Sequence, residues 1–223
     1  MTAINALVRR DRVHVMTDGA VFLPEGEVIG SMQKVYILAQ ADAVLAVRGP
    51  TYIGPALYGA LNGASLTRFD DLLSMLIPAV RHSLDSLEFL DPDAVTAASA
   101  RLDLRRADVV VAGWSRSRGR GEIYKLDTSA EEWCLEPQGD GFIMPGDNPA
   151  LMERLQAHGW DLSDDRQDEW RLLELVRHQR IVDDLLPNGA RFPTAGAFAQ
   201  HTVITEWGIS TRIVERWPVA QAA

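Results

Sequence analysis

A hydroxyl, a carboxylate and an ammonium stand at equal intervals near the start of the chain: Thr2, then Asp18 sixteen positions on, then Lys34 sixteen further. Together they can do acyl-transfer chemistry. A threonine hydroxyl is a poor nucleophile at neutral pH until a base takes its proton, and the residue's own α-amine, with a reference pKa of about 8, can be that base. This requires removal of Met1, and threonine is small enough for routine loss of an initiator methionine. Lys34 beside the hydroxyl would favour the alkoxide and hold the amine's pKa down, while Asp18 would keep Lys34 charged and oriented. The plain alternative is a half-exposed Asp18–Lys34 ion pair at a sheet edge, which contributes little.

The surrounding sequence supplies elements that would bring the three together. Ala3 to Val8 is an apolar run, Arg9 to Arg12 a charged turn, and Arg12 to Thr17 alternates polar and apolar as a half-buried strand does. Pairing across this hairpin returns Thr17-Asp18 to the chain start, and Asp18-Gly19 supplies turn chemistry where the backbone leaves the strand. Val28-Ile29-Gly30 and Val35 to Leu38 read as a second hairpin-like pair with Lys34 at its mouth. Side chains alternate between faces, so a slip of one residue would turn Thr2 away from Lys34.

On these residues the chain resembles the proteasome β-type subunits and their bacterial relative HslV, which are N-terminal nucleophile (Ntn) hydrolases. Thr2, Asp18 and Lys34 reproduce the intervals of that family's catalytic set, with one extra Met in front. Thr17-Asp18-Gly19-Ala20 is similar to its Asp-Gly or Asp-Ser-Arg turn, and Lys34-Val35 to its Lys-Lys/Val step. Val44 to Gly49 is similar to the strand that ends in the oxyanion-hole glycine, although Lys34 and Gly49 stand one residue further apart than is usual there. Asp108 to Ser115, DVVVAGWS, is similar to a strand ending in Ala-Gly-Trp or Ala-Gly-Tyr. The resemblance implies a threonine-type peptidase or small-amide hydrolase, assembled as a homo-oligomer, with Thr2, Asp18, Lys34 and Gly49 as the catalytic residues. Gly49 reads equally well as a strand-to-helix turn that needs a flexible residue.

Two stretches depart from the family. Where it has a serine in a Gly-Ser-Gly turn, this chain has Pro145-Gly146-Asp147; where it has an aspartate and a serine before the last hairpin, this chain has Arg191 and Thr194. Those residues orient the amine in the family. Their loss favours the second reading, a non-catalytic Ntn-fold subunit with a structural or assembly role.

The rest of the chain fits one α+β domain over 1–223, a four-layer αββα sandwich of two antiparallel sheets. Tyr52, Ala56, Leu57 and Ala60 have helical spacing. Phe69, Leu72, Leu73, Leu76, Ile77, Val80 and Leu84 form a longer stripe, capped by Thr67 or Ser65 and kinked or broken at Pro78. Asp147 or Asn148 caps a helix over 150–160, and Asp164 to Asp168 open another that runs through Val182 and Leu185 to Pro187. Two strands flank Glu206-Trp207-Gly208 near the end. Arg116, Arg118 and Arg120 form a basic loop, read as solvated or as facing an acidic partner.

Composition excludes several classes. A net charge of -9 argues against a general nucleic-acid binder, which needs clustered cations. The single cysteine, Cys134, cannot form an internal disulfide; it reads as a packed small residue and suits a reducing cytoplasm. Neither a long apolar span nor a secretory signal is expected, so no membrane is implied. His14, His158, His178 and His201 lack metal-ligand spacing, and no nucleotide-binding glycine motif occurs, so no metal or cofactor is implied.

Overall fold

The computed structural model describes residues 2–23, 26–86, 105–160, 167–185 and 191–218. The first hairpin forms as its pattern predicts: β1 (Ile4–Val8) pairs antiparallel with β2 (Val13–Asp18), with Val8 opposite Val13 and Ile4 opposite Thr17. The Arg9 amide donates to the Arg12 carbonyl at 2.8 Å and closes the turn. The next pairing differs from the sequence reading. The short β4 (Val28–Ser31) pairs back onto β3 (Ala20–Phe22), whereas β5 (Val35–Leu38) pairs with β6 (Ala43–Arg48). Val35 and Leu38 are fully buried and take places in the second large sheet, while β4 alternates between half-buried and exposed positions.

The helices α1 (Ile53–Asn62) and α2 (Phe69–Asp85) follow β6. Then come β7 (Asp108–Ser115), β8 (Arg120–Asp127), β9 (Glu136–Pro137) and β10 (Gly141–Met144). After α3 (Pro149–Ala157) and α4 (Asp168–Gln179), β11 (Asp183–Leu185) pairs with β12 (Arg191–Pro193), and β13 (Phe198–Thr205) with β14 (Gly208–Arg216). Two five-stranded antiparallel sheets result, ordered β10-β1-β2-β13-β14 and β5-β6-β7-β8-β9.

The side-chain alternation makes four layers. Ile4, Ala6, Val13 and Val15 from the first sheet meet Val35, Val44, Ala46, Val110 and Ala112 from the second in one core. The opposite face of the second sheet, with Leu45, Val109 and Val111, is covered by Leu57 and Leu61 of α1 and Leu72 and Leu76 of α2. On the far side of the first sheet, Leu7 and Met16 are covered by Leu172 and Val176 of α4. The fold is therefore the expected α+β sandwich of two antiparallel sheets between helices.

Several local expectations are corrected. The buried face of α1 is Ile53, Gly54, Leu57 and Leu61, and Ala56 is exposed. The N-cap of α2 is Arg68 without a side-chain cap; the hydroxyl of Thr67 instead meets the carboxylate of Asp71 at 3.4 Å. No break occurs at Pro78, because both Pro78 and Ser74, whose carbonyl loses its helical donor, face water. Asn148 caps α3 by accepting from the Leu151 amide, and the helix ends at Ala157, just before Gly159 at φ 63°. Asp164 lies outside the described residues, α4 ends at Gln179, and Leu185 belongs to β11 rather than to a helix. Cys134 is exposed, not packed. The basic loop is neutralised within the chain: Arg116 pairs with Asp42, Arg118 with Asp70 and Glu122, and Arg120 with Glu122.

Phe69, 1% exposed, fills the space above Gly113, where a Cβ would stand 2.3 Å from its ring. Phe69→Ala is expected to cost about 3–5 kcal/mol, read as a lower midpoint in urea unfolding.

Candidate functional site

Asp18 is the last residue of β2 and is 0% exposed. A buried carboxylate must be matched by donors, and four reach it. Its Oδ1 accepts from the Ala3 amide at 3.0 Å and from Lys34 Nζ at 2.7 Å; its Oδ2 accepts from the Ala20 and Gly196 amides, both at 3.0 Å. The donors come from the entry to β1, the start of β3, the lead into β5, and the turn before β13.

Lys34 is 6% exposed and stands just before β5 in the second sheet, so its bond to Asp18 ties the two sheets together at one end of the sandwich. Burial pushes the Lys34 amine below the ordinary lysine range, while the charge and hydrogen bond of Asp18 act the other way. The ammonium also lies 6.0 Å from the centre of the Phe22 ring. Ala3 N–H and Lys34 share one oxygen, which confines them to within about 6 Å of each other. Thr2, 4% exposed, directly precedes that amide. The spacing of Thr2, Asp18 and Lys34 therefore corresponds to one buried locus, and the pair is not the half-exposed surface bridge of the plain alternative.

Gly49 follows β6, and because Val35 is opposite Ala46 it leaves the second sheet at the same end as Lys34. Its φ is 151°, and a Cβ there would stand 2.9 Å from the Arg106 carbonyl oxygen. Backbone geometry alone thus accounts for a glycine at this position.

The two departures from the family's pattern have structural counterparts. Asp147 is exposed. Thr194 is buried, but its hydroxyl donates to the Gln179 carbonyl at 3.4 Å, and Arg191 lies in β12 with Leu185 opposite. Gly196 is a contact the sequence did not announce. It donates its amide to the Asp18 carboxylate and accepts from the Gly19 amide at 3.1 Å, so its own part in both bonds is backbone and leaves no motif at position 196.

A second polar cluster, also unforeseen, lies on the outer face of the first sheet. His14 Nδ1 and His201 Nε2 are 3.0 Å apart although the residues are 187 positions apart in sequence. Asp168 and Glu169 at the start of α4 flank the pair. Among the described residues no cluster of His, Cys, Asp or Glu is arranged to hold a metal ion.

Removing either member of the ion pair should unbalance the site unequally. Asp18→Asn leaves a buried ammonium without its counterion and is expected to cost about 3–5 kcal/mol. Lys34→Met should cost clearly less, because Asp18 keeps three amide donors; denaturant unfolding of both variants gives the order.

No protein-family model and no curated protein sequence matches the chain. Solved structures do match in fold. A Gly-1 mutant of Anbu from Hyphomicrobium sp. strain MC1 superposes with a TM-score of 0.66 at 12% identity, over 96% of this chain and 88% of that one. Anbu from Yersinia bercovieri, described as an ancestral beta-subunit, gives 0.64 at 10% identity over the same shares. The likeness is one of fold, a sandwich of two antiparallel sheets between helices.

Proposed function

We propose that the protein is a threonine-type Ntn amide hydrolase acting on a peptide or small amide. The observation that carries this reading is the buried Asp18–Lys34 pair, whose shared oxygen also holds the amide next to Thr2. With the α-amine of Thr2 free, that amine takes the hydroxyl proton as Oγ attacks the carbonyl carbon of the substrate. Lys34 offsets the charge developing on Oγ, and Asp18 holds Lys34 in place. The Gly49 amide donates to the tetrahedral oxyanion. Collapse breaks the C–N bond, the amine leaving group takes the proton, and an ester on Thr2 remains. Water, deprotonated by the same α-amine, hydrolyses the ester and restores the hydroxyl. None of these steps calls on a cofactor. We read the working form as a cytoplasmic homo-oligomer; the description of the Yersinia Anbu as a beta-subunit supports assembly.

A second reading rests on Thr194 and Asp147. The Thr194 hydroxyl is engaged with the Gln179 carbonyl and Asp147 is exposed, so neither is placed as an orienting group. An Ntn-fold subunit with an assembly role would keep the Asp18–Lys34 pair for stability alone.

The discriminating experiment is intact mass spectrometry before and after treatment with an electrophile selective for N-terminal threonine. The catalytic reading expects a chain beginning at Thr2, one adduct, and none in Thr2→Ala. Lys34→Met should slow adduct formation by about 100-fold or more. A chain that begins at Thr2 and remains unlabelled would support the assembly role.

A further inference from the structure

Four strands stand at the edges of the two large sheets, and an edge presents backbone N–H and C=O groups with which another chain can pair. Three of them are short: β5 and β10 have 4 residues each, and β9 has 2, one of them Pro137. The fourth, β14, has 9 residues, and its middle from Ser210 to Ile213 is exposed. Ile213 keeps 40% of its surface in water.

The hydrogen-bond pattern decides which groups β14 turns outward. The Trp217 amide donates to the Ala197 carbonyl at 2.8 Å, so the odd-numbered residues leading along β13 direct their backbone groups at β14. The same parity follows from β2, whose Asp18 amide turns the other way, to Ala3. Val203 therefore exchanges both bonds with Ser210, and His201 with Arg212. Ile209, Thr211 and Ile213 point theirs away from β13, and no described residue bonds to those amides or carbonyls. Side chains alternate as well. Ile209 packs against the inter-sheet core and Thr211 Oγ1 accepts from Gln200 Nε2 at 2.9 Å, so Ile209, Thr211 and Ile213 share the inner face. Arg212, whose charge would otherwise guard the edge, is held on the outer face by Glu169 of α4.

One register makes this edge complementary to itself. With the β14 strands of two copies antiparallel and centred on Thr211, Ile209 of each faces Ile213 of the other, and Ser210 faces Arg212. The outward groups of Ile209, Thr211 and Ile213 then meet in pairs and form about six hydrogen bonds. Past each end of this ladder, Glu206 in the hairpin turn lies toward Arg216 of the second copy, opposite in charge. Centring on Arg212 instead would oppose two guanidinium groups at the axis. Ile213 and Glu215 are opposite consecutive residues of β13, so Val214 is a bulge that ends the regular ladder after Ile213.

We propose that β14 is a self-complementary interface, at which a second copy of this chain adds its own β14 antiparallel about a twofold axis at Thr211 and joins the two five-stranded sheets into one. Each edge covers the other, so the contact closes at two copies. Thr2 takes no part in it, and the interface serves a catalytic subunit and a structural one alike.

The test combines sedimentation with residue-resolved hydrogen exchange over about 5–500 µM protein. The chain should sediment as dimers or multiples of dimers. In that state the amides of Ile209, Thr211 and Ile213 should be protected, and they should exchange about tenfold or more faster in the monomer, while Ser210 and Arg212 stay protected in both. Ile213→Pro removes an N–H that points away from β13, so the hairpin keeps its own bonds, and self-association should weaken about tenfold or more. A monomer at every concentration would overturn the interface. An assembly that leaves the three amides unprotected would overturn it too, by placing the contact on other faces. Protection retained by the monomer would do the same, by placing another part of this chain on the edge, as would unaltered self-association of Ile213→Pro. If that variant does not fold, the wild-type exchange decides.

Discussion

A carboxylate with no exposed surface has to be met by hydrogen-bond donors, and the four that meet Asp18 come from four separate parts of the chain. Burial without them would cost several kcal/mol, which is of the order of a whole domain's net stability. The demand therefore fixes more than one side chain. Satisfying Oδ1 sets where the chain enters β1 and draws Lys34 across from the second sheet; satisfying Oδ2 sets the exit into β3 and the turn before β13. The end of the sandwich where Thr2 lies is closed by this one group. Lys34 in turn depends on Asp18, because an ammonium at that depth is strongly desolvated.

The sequence reveals the first hairpin and the four layers because both follow from short-range periodicity. Val13, Val15 and Met16 sort to opposite faces by alternation alone, and Phe69, Leu72, Leu76 and Val80 mark the buried side of α2 by helical spacing. The 16-residue intervals carried Thr2, Asp18 and Lys34 to one place because each sits at a strand end. What could not be read depends on long-range competition. Val28 and Val35 are equally good strand residues, and only the vacancy beside β6 decides that β5 belongs there. The end of α4 at Gln179 is similar: Val182 continues an apolar pattern, yet it packs with Leu151, Leu155 and Leu175 from outside the helix. Backbone donors such as Gly196 and a contact between histidines 187 positions apart leave no local pattern at all.

The two polar clusters together determine how α4 lies on the sheet. The outward face of β2 reads His14, Met16, Asp18, polar at both ends and apolar between. The helix above it matches: Asp168 and Glu169 stand over the histidines, Leu172 and Val176 over Met16, and Gln179 accepts from Thr194, two residues before the Gly196 that holds Asp18. Gln179 also exchanges side-chain hydrogen bonds with the buried Asn5 on β1 and donates to the Met144 carbonyl on β10.

Lengths explain why this match is exacting. Twelve helical residues rise about 17 Å, and the strand from His14 to Asp18 spans about 13 Å, so one polar site at each helix end can be satisfied at once only in a single placement. Apolar packing alone would tolerate a slide of one helical turn, about 5.4 Å, because Leu172 and Val176 repeat every four residues. The same slide would leave Asp168, Glu169 and Gln179 facing the wrong groups, and each unpaired buried polar atom costs about 1–3 kcal/mol. Hydrophobic burial holds the helix against the sheet, and the polar ends choose its register. The histidine cluster at one end and the turn that grips Asp18 at the other are therefore mechanically joined by α4, although they share no contact.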